Sequence, residues 1–381
     1  MQLSSARTFE GTDMRLRPIL CHPSPTLGHP TGHNHLSRLA LCTKIAELRG
    51  ASIASGPQQG ETPGRPYFVP AQPLTSADAA ALGIADEGDL FGGVVPHDYM
   101  ASKCITHPLV RADAAAPAGW TPGFAEEVRG AVLPGYSCYS PDDVLAAGRQ
   151  LLSLGPVRLK LGDADGGRDQ SVARTLTELE AQIAGLDADR IAEGGLVLEQ
   201  NLSDVATFSV GQVRIGPYVA SYCGTQRLVP NNQGEEAYGG SRLFVVRGEF
   251  TELLLAGLDE RHALAVRQAR LYDAAAHVHF PGFFASRRNY DIVQGTDREG
   301  RFQSGVLEQS WRPGGASPAE LLALLALRDD PSLVSVETCC EEDYGAPPDL
   351  GPESWVYYQG NDAVTGPLTK HARVVARTHA S

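Results

Sequence analysis

A mixed fold of helices and strands, spread over two or three domains, is predicted by three features of the sequence. Its 381 residues are 42% hydrophobic and 20% charged, which is enough apolar material for a sizeable core. Glycine (41 residues) and proline (26) punctuate the chain too often for a long bundle or a coiled coil. Stretches with helical spacing alternate with short apolar or alternating runs of strand character. The formal net charge of −13, with no local basic patch, argues against a duplex nucleic acid or an anionic membrane as partner. No run of about 18 apolar residues is present to span a membrane. The opening MQLSSARTFEGTDMRLRP lacks the apolar stretch of a secretory signal, so a cytoplasmic location is expected.

The elements follow in chain order. A loop rich in proline, glycine and histidine, CHPSPTLGHPTGHNH, precedes a helical segment marked by Leu39, Leu41, Ile45 and Leu48. PYFVP (66–70) and LFGGVV (90–95) read as strands, and residues 112–124 as a connector. Ser140-Pro141-Asp142-Asp143 is a helix start, with a capping serine, proline at the first helical position and acids in the first turn. PVRLKL (156–161) alternates like a strand, and 162–171 is a glycine-bearing loop. Val172, Leu176, Leu179, Ile183 and Leu186 then trace a helix face. GLVLEQ (195–200) is another strand. Several β segments lie between 208 and 247, a long helix near 260–277, and a hairpin follows: NYDIVQ, the turn TDREGR, and FQSGVLEQ. Ser317-Pro318-x-Glu320 reads as a capping box. The last forty residues look loop-rich and partly extended.

Cysteine and lysine usage narrow the chemistry. The seven cysteines include no C-x-x-C pair, which supports neither a disulfide framework nor a structural zinc site, and Cys339–Cys340 read as ordinary thiols. The lysines are Lys44, Lys103, Lys160 and Lys370, with arginine supplying the other side-chain cations, so each lysine is a candidate for a specific role. His22, His29, His33 and His35 crowd one loop, but without cysteine or a regular helical pair they read as a polar loop in preference to a metal site. No phosphate loop of the G-x-x-x-x-G-K-[ST] type, no G-x-G-x-x-G after a strand, no G-x-S-x-G and no H-E-x-x-H is present.

What remains is a constellation in a fixed order. Lys160 ends a strand before a glycine loop, and a second strand ends in Glu199-Gln200-Asn201-Leu202. Asp291 lies on one arm of the predicted hairpin and Glu308 on the other, followed by Ser310 and Arg312. In these residues the sequence resembles the ATP-grasp superfamily, over residues ~97–320. More narrowly it is similar to a proteobacterial family known as a domain of unknown function with ATP-grasp character. The fold class implied is α+β: an ATP-grasp fold with an N-terminal α/β domain (1–100), a small subdomain with the lysines and glycine loop (101–205), a large subdomain with the metal carboxylates (206–345), and a C-terminal extension (346–381).

The resemblance also implies roles. ATP and Mg2+ are the implied cofactors; small carboxylate and nucleophile molecules are the implied substrates, and a homodimer is left open. Lys160 and Lys103 would meet phosphates, and the Gly166-Gly167 backbone with Arg168 would close over them, although Asp163, Asp165 and Asp169 also suit an ordinary acidic turn. The strand end Glu199, Gln200, Asn201, Leu202 would meet adenine; a plain edge strand is the other reading. The superfamily's later ribose-facing glutamate is absent, with Ala206 and Thr207 in that stretch and Asp204 nearby. Facing carboxylates repel unless a cation lies between them, so Asp291 and Glu308 are the metal pair, with Ser310 where the superfamily has asparagine. A structural Glu308 paired with Arg312 is the competing reading. Arg312 would stabilise charge on the transferred phosphoryl group, with Arg287 or Arg288 assisting, and Arg288 is the favoured partner. Gly314-Gly315-Ala316-Ser317 is either an acceptor pocket at a helix N-terminus or a capped helix. The chemistry implied is ATP-dependent ligation of a carboxylate to an amine. A kinase, or a nucleotide-binding protein without turnover, is the alternative.

Overall fold

The structure, a computed structural model, describes residues 17–22, 32–54, 65–162 and 170–380. Strands β1 (Ile19–His22) and β2 (Tyr67–Pro70) pair in parallel through helix α1 (His33–Arg49). A parallel pair needs such a crossover, and α1 packs Leu41, Cys42, Ile45 and Leu48 against Ile19 and Tyr67. Gly50, at φ 64°, ends α1 in the left-handed conformation that glycine adopts without strain. Short elements follow: β3 (Leu74–Thr75), α2 (Ser76–Ala81) and β4 (Gly93–Val95). The strand expected over 90–95 is thus reduced to its last three residues. A 3-10 turn at Lys103–Thr106 and helix α3 (Pro122–Glu127) lead into the next unit, α3 occupying the end of the expected connector.

A four-stranded antiparallel sheet comes next, in the order β5-β8-β6-β7. It is built from β5 (Gly135–Cys138), helix α4 (Pro141–Leu151), β6 (Val157–Leu161), β7 (Gln170–Ala173), helices α5 (Leu176–Ala184) and α6 (Ala188–Gly194), and β8 (Leu196–Gln200). Val172, expected on a helix, lies on β7; the helical stripe begins at Leu176, and Leu179 is its fully buried member. Leu179 joins Val144, Leu151, Leu159 and Leu198 in the core of this unit. Ser140 caps α4, accepting the Asp143 N–H at 3.2 Å. Ser140→Ala should therefore cost about 1 kcal/mol of stability in urea denaturation of the full chain, with no effect on ligand binding.

The rest of the chain forms an eight-stranded antiparallel sheet in the order β14-β13-β9-β10-β11-β15-β17-β16. Its first strands are β9 (Ser203–Ile215), β10 (Tyr218–Pro230) and β11 (Glu236–Arg247). Helices α7 (Phe250–Leu255) and α8 (Glu260–His279) come before the two-residue β12 (Phe284–Ala285), which pairs with β4. The hairpin arms β13 (Arg287–Thr296) and β14 (Phe302–Ser310) sit at one edge. Helix α9 (Ser317–Asp329), β15 (Leu333–Tyr344), β16 (Trp355–Asp362) and β17 (Gly366–His379) complete it. One face packs on α1 and α9 through Leu243, Val245, Leu321 and Leu324; the other packs on α7 and α8 through Phe208, Val210, Phe250 and Ala269.

Two expectations are corrected here. The tail after residue 346 is not mainly loop: β16 and β17 are long strands that extend the sheet, with Leu368 and Ala372 buried in the core shared with α1 and α9. The capping box at Ser317 does not form. Ala316 is the capping position of α9 and has no side-chain acceptor to cap with, and the Glu320 carboxylate pairs instead with the buried Arg287 guanidinium, 2.7 Å away.

Candidate functional site

Two charged pairs lie one on each of the two larger sheets, joined by one short segment. On the four-stranded sheet, Lys160 lies on β6 beside Val197 of β8, and alternation places Glu199 on the same face. Lys160 and Glu199 form an ion pair, both buried, and the His107 ring nitrogen lies 3.4 Å from the other Glu199 oxygen. Burial alone would push the Glu199 carboxyl up, but the Lys160 charge and the His107 contact outweigh it and hold it down to about 2. The adjoining strand end is ordered by side chains: Arg158 donates to Asn201 Oδ1 at 2.8 and 3.1 Å. Gln200 is buried, with its N–H on the Pro134 carbonyl.

On the eight-stranded sheet, Asp291 of β13 stands directly opposite Glu308 of β14. The register shifts just beyond this pair, so that Leu307 has no opposite residue in the ladder. Leu307 packs with Leu202, Leu133 and Val293 in a small apolar cluster that joins the two sheets. Burial and the neighbouring Glu308 charge push the Asp291 carboxyl up to about 6, against hydrogen bonds from Asn289 at 2.9 Å and Gln226 at 2.7 Å. Glu308 is in turn 3.2 Å from the Lys103 ammonium, which is 6% exposed, so its ion-pair partner here is Lys103, not Arg312 as the competing reading had it.

One short segment ties the two pairs together. Lys103 meets Glu308, the Cys104 carbonyl accepts the Ser137 hydroxyl at 2.6 Å, Thr106 meets the Tyr272 hydroxyl at 2.9 Å, and His107 reaches Glu199. The two ends of this five-residue segment, Lys103 and His107, therefore each touch one of the charged pairs.

The arginines divide by strand alternation. Arg287 and Asn289 share the face of Asp291, whereas Arg288 points to the opposite face. There Arg288 binds Asp273 of α8 at 3.1 Å, His277 at 3.1 Å and Gln212. The expectation that Arg288 stands at the carboxylates is thus corrected: the arginine on their face of β13 is Arg287. Arg287 is fully buried and donates to Glu320, to the Ser310 hydroxyl at 3.2 Å, and to the Arg312 carbonyl at 2.7 Å. Tyr222 completes this network, donating to Glu320 at 2.6 Å. The Arg312 side chain is partly exposed at the end of β14 and reaches the Pro313 carbonyl at 3.1 Å. Arg288→Ala should cost about 1–2 kcal/mol of stability through its partly buried ion pair, while leaving nucleotide affinity within about twofold by calorimetry.

The remaining predicted positions fall as follows. Gly166, Gly167 and Arg168 lie outside the described residues, as does His29. His33 and His35 open α1 and His22 ends β1. Gly314 donates its N–H to the Ser317 hydroxyl at 3.0 Å, so that this turn caps itself. Asp204, near the missing ribose-facing acid, is the one described non-glycine residue with positive φ, at 50°. Sequence reading missed Asn289, Gln226, Tyr222 and Glu320. Alternation outward from Asp291 could have found Asn289, since it needs no tertiary information; the others come from distant strands and a helix. It also missed Glu341, Asp343 and the buried His371, whose Nε2 lies 2.9 Å from Asp343, on the β15–β17 ladder.

The fold these sheets build is the α+β ATP-grasp fold. It is similar to carboxyaminoimidazole ribonucleotide synthase from Aspergillus clavatus in complex with ATP, at 12% identity over 95% of this chain and 94% of that chain, with a TM-score of 0.50. A second structure of that synthase from the same organism, with ADP and 5-aminoimidazole ribonucleotide, is similar at 11% identity over 95% of each chain, TM-score 0.50. D-alanyl-alanine synthetase A from Vibrio cholerae matches at 13% identity over 80% of this chain and 92% of that one, TM-score 0.48. The chain belongs to the family described as protein of unknown function (DUF3182), whose model matches residues 22–372. No curated protein matches it in sequence. Among the described residues no helix is long and apolar enough to cross a membrane.

Proposed function

We propose that the protein is an ATP-dependent ligase of ATP-grasp type, activating a small carboxylate as an acyl phosphate for attack by an amine or similar nucleophile. The observation that carries this reading is the Lys103–His107 segment, which touches the Lys160–Glu199 pair on one sheet and the Asp291–Glu308 pair on the other. ATP carries several negative charges, and a site for it needs fixed cations, a metal and an apolar slot for the base. Residues 101–205 would be the small ATP-binding subdomain and 206–345 the large one, after an N-terminal domain, with β16 and β17 continuing the large sheet.

In this reading Leu202, Val293 and Leu307 hold the adenine, and Lys103 and Lys160 hold the phosphates. Asp291 and Glu308, with Ser310 beside them, supply hard oxygen donors, and two carboxylates that repel one another fit Mg2+. Magnesium held by these residues would neutralise charge on the phosphates. Arg312 meets the transferred phosphoryl group, and Arg287 fixes the backbone from which Arg312 projects. A substrate carboxylate oxygen attacks the γ-phosphorus and ADP leaves; the nucleophile then attacks the acyl carbon and phosphate leaves. The protein contributes position and charge, so no nucleophilic side chain is needed.

A second reading, a nucleotide-binding protein without turnover, is favoured by Ser310: its hydroxyl accepts from Arg287 where the superfamily has an asparagine for metal. Release of phosphate from ATP, measured across pairs of small carboxylates and amines, tests both. A ligase accumulates ADP and phosphate only when the two substrates are present together. A kinase accumulates ADP with one substrate alone, and a binding protein gives no ADP while calorimetry still shows nucleotide uptake.

A further inference from the structure

Helix α1 carries one residue that its packing does not explain. Its core-facing stripe runs through Leu41, Cys42, Ile45 and Leu48, and the position one turn before Cys42 on that stripe is Arg38, only 8% exposed. Its Nη2 meets His35 Nδ1 at 3.2 Å, its Nε is buried without a hydrogen-bond partner, and no carboxylate among the described residues lies within ion-pair distance. The contrast with Arg287, whose guanidinium is 2.7 Å from Glu320, is plain. Burying a guanidinium is costly unless negative charge and hydrogen-bond acceptors complete it, and the Cys21 thiol is the described group that offers Arg38 negative charge, leaving its Nε for a further anion.

The groups around Arg38 can donate to such an anion. The Ser37 hydroxyl is also buried without a partner. His22, the last residue of β1, is held below its usual range by burial and the Arg38 charge, with Asp78 acting the other way, so at neutral pH it is an uncharged ring. These residues gather at the carboxyl end of a parallel strand pair and the second turn of the crossover helix, the place where open α/β units bind ligands. This end also lies toward the proposed active site: Pro70, at the carboxyl end of β2, and the carbonyl of Trp311, next to Arg312, both border Gly92.

We infer that His22, Ser37 and Arg38 form an oxyanion site that takes a carboxylate or phosphate group of a small molecule. Assigning that group to the acceptor substrate rests on the ligase reading; the binding site itself does not.

Cys21 reports on this site directly. It is the one cysteine that is not buried, and it neighbours both Cys42 and Arg38. The Cys42 thiol and, against burial, the Arg38 charge hold its thiol down to about 6. An anion on Arg38 takes over that charge, so bound anion and Cys21 thiolate oppose each other. The experiment is iodoacetamide alkylation of Cys21 at pH 7 without nucleotide, followed by mass spectrometry, with inorganic phosphate in one arm and malonate in the other. Either anion should slow alkylation saturably by about fivefold or more, and Arg38→Gln should abolish the dependence. Protection by phosphate alone assigns a phosphate ligand, by malonate alone a carboxylate, and by both an oxyanion of either kind. Absence of protection in both arms, or protection that survives in Arg38→Gln, overturns the site. Should that variant not fold, Arg38→Lys keeps the charge and loses the planar fork; its protection should weaken, and unchanged protection overturns the site equally. Calorimetry with an ATP analogue on the same samples reads the nucleotide site separately, so failure of one is not mistaken for failure of the other.

Discussion

Lys160→Ala should lose much more than nucleotide affinity. Glu199 is 2% exposed and depends on Lys160, with His107, to remain ionised. Removing one partner of a buried pair leaves an uncompensated charge, which costs about 3–5 kcal/mol. The pH dependence follows from the sign of the shift. The Glu199 carboxyl is lowered from 4.5 to about 2 in the folded protein, so its contribution is full above 4.5 and fades as pH falls through 2. Urea denaturation should show the gap between wild type and variant wide at pH 7 and narrowing below pH 4. A simple alanine variant therefore confounds folding with binding. The paired substitution Lys160→Met with Glu199→Gln removes both charges at similar volume and should recover most of the stability. Its ATP affinity should still be at least about tenfold weaker, ~1.4 kcal/mol, because the positioned cation is gone. Wild-type affinity in the paired variant, measured by calorimetry, removes Lys160 from the phosphates and leaves a structural ion pair.

The parts of this molecule that were legible in the sequence are those fixed by local rules. Ser140 caps its helix because a short hydroxyl side chain reaches the third residue's N–H whatever surrounds it. The hairpin of β13 and β14 follows from alternation and a polar glycine-bearing turn, and the facing of Asp291 and Glu308 follows from the hairpin. Charges whose partners lie far away in the chain were not legible. Glu320 looks like a capping residue until Arg287, 33 residues earlier, takes it. Arg287 and Arg288 cannot be told apart by composition; only strict period-two alternation from Asp291 separates them, and the residue two before Asp291, where the resemblance would have an arginine, is Asn289, so Arg288 lies one residue off that spacing. The tail after 346 was obscured for a related reason. Its prolines and glycines cluster before β16, while the strands themselves carry polar residues on the face that no helix covers.

Glu308→Gln separates a metal-binding from a structural carboxylate, and the structure sets two opposing effects on its stability. Glu308 and Asp291 face each other, and that repulsion contributes to the elevated Asp291 carboxyl, so neutralising one should relieve the other. The same change removes a 3.2 Å ion-pair partner from the buried Lys103. The variant keeps size and shape, and the amide oxygen of the substituted glutamine can still accept a hydrogen bond from the Lys103 ammonium, so the two effects should nearly cancel, leaving the melting temperature without ligand within about 2 °C of wild type. Function should not be balanced in this way. If the pair holds magnesium against phosphate oxygens, losing one formal charge and one anionic donor should lower ATP-dependent phosphate release by roughly a hundredfold or more. It should also shrink the rise in melting temperature that magnesium and ATP produce together, while ATP without magnesium changes little. A glutamate that serves only to neutralise Lys103 predicts the opposite pattern: a markedly lower melting temperature in the empty protein and a full shift with magnesium and ATP. Thermal melts of both proteins, each with no ligand, ATP alone, and ATP with magnesium, distinguish the two, and the second pattern removes Asp291 and Glu308 from the metal site.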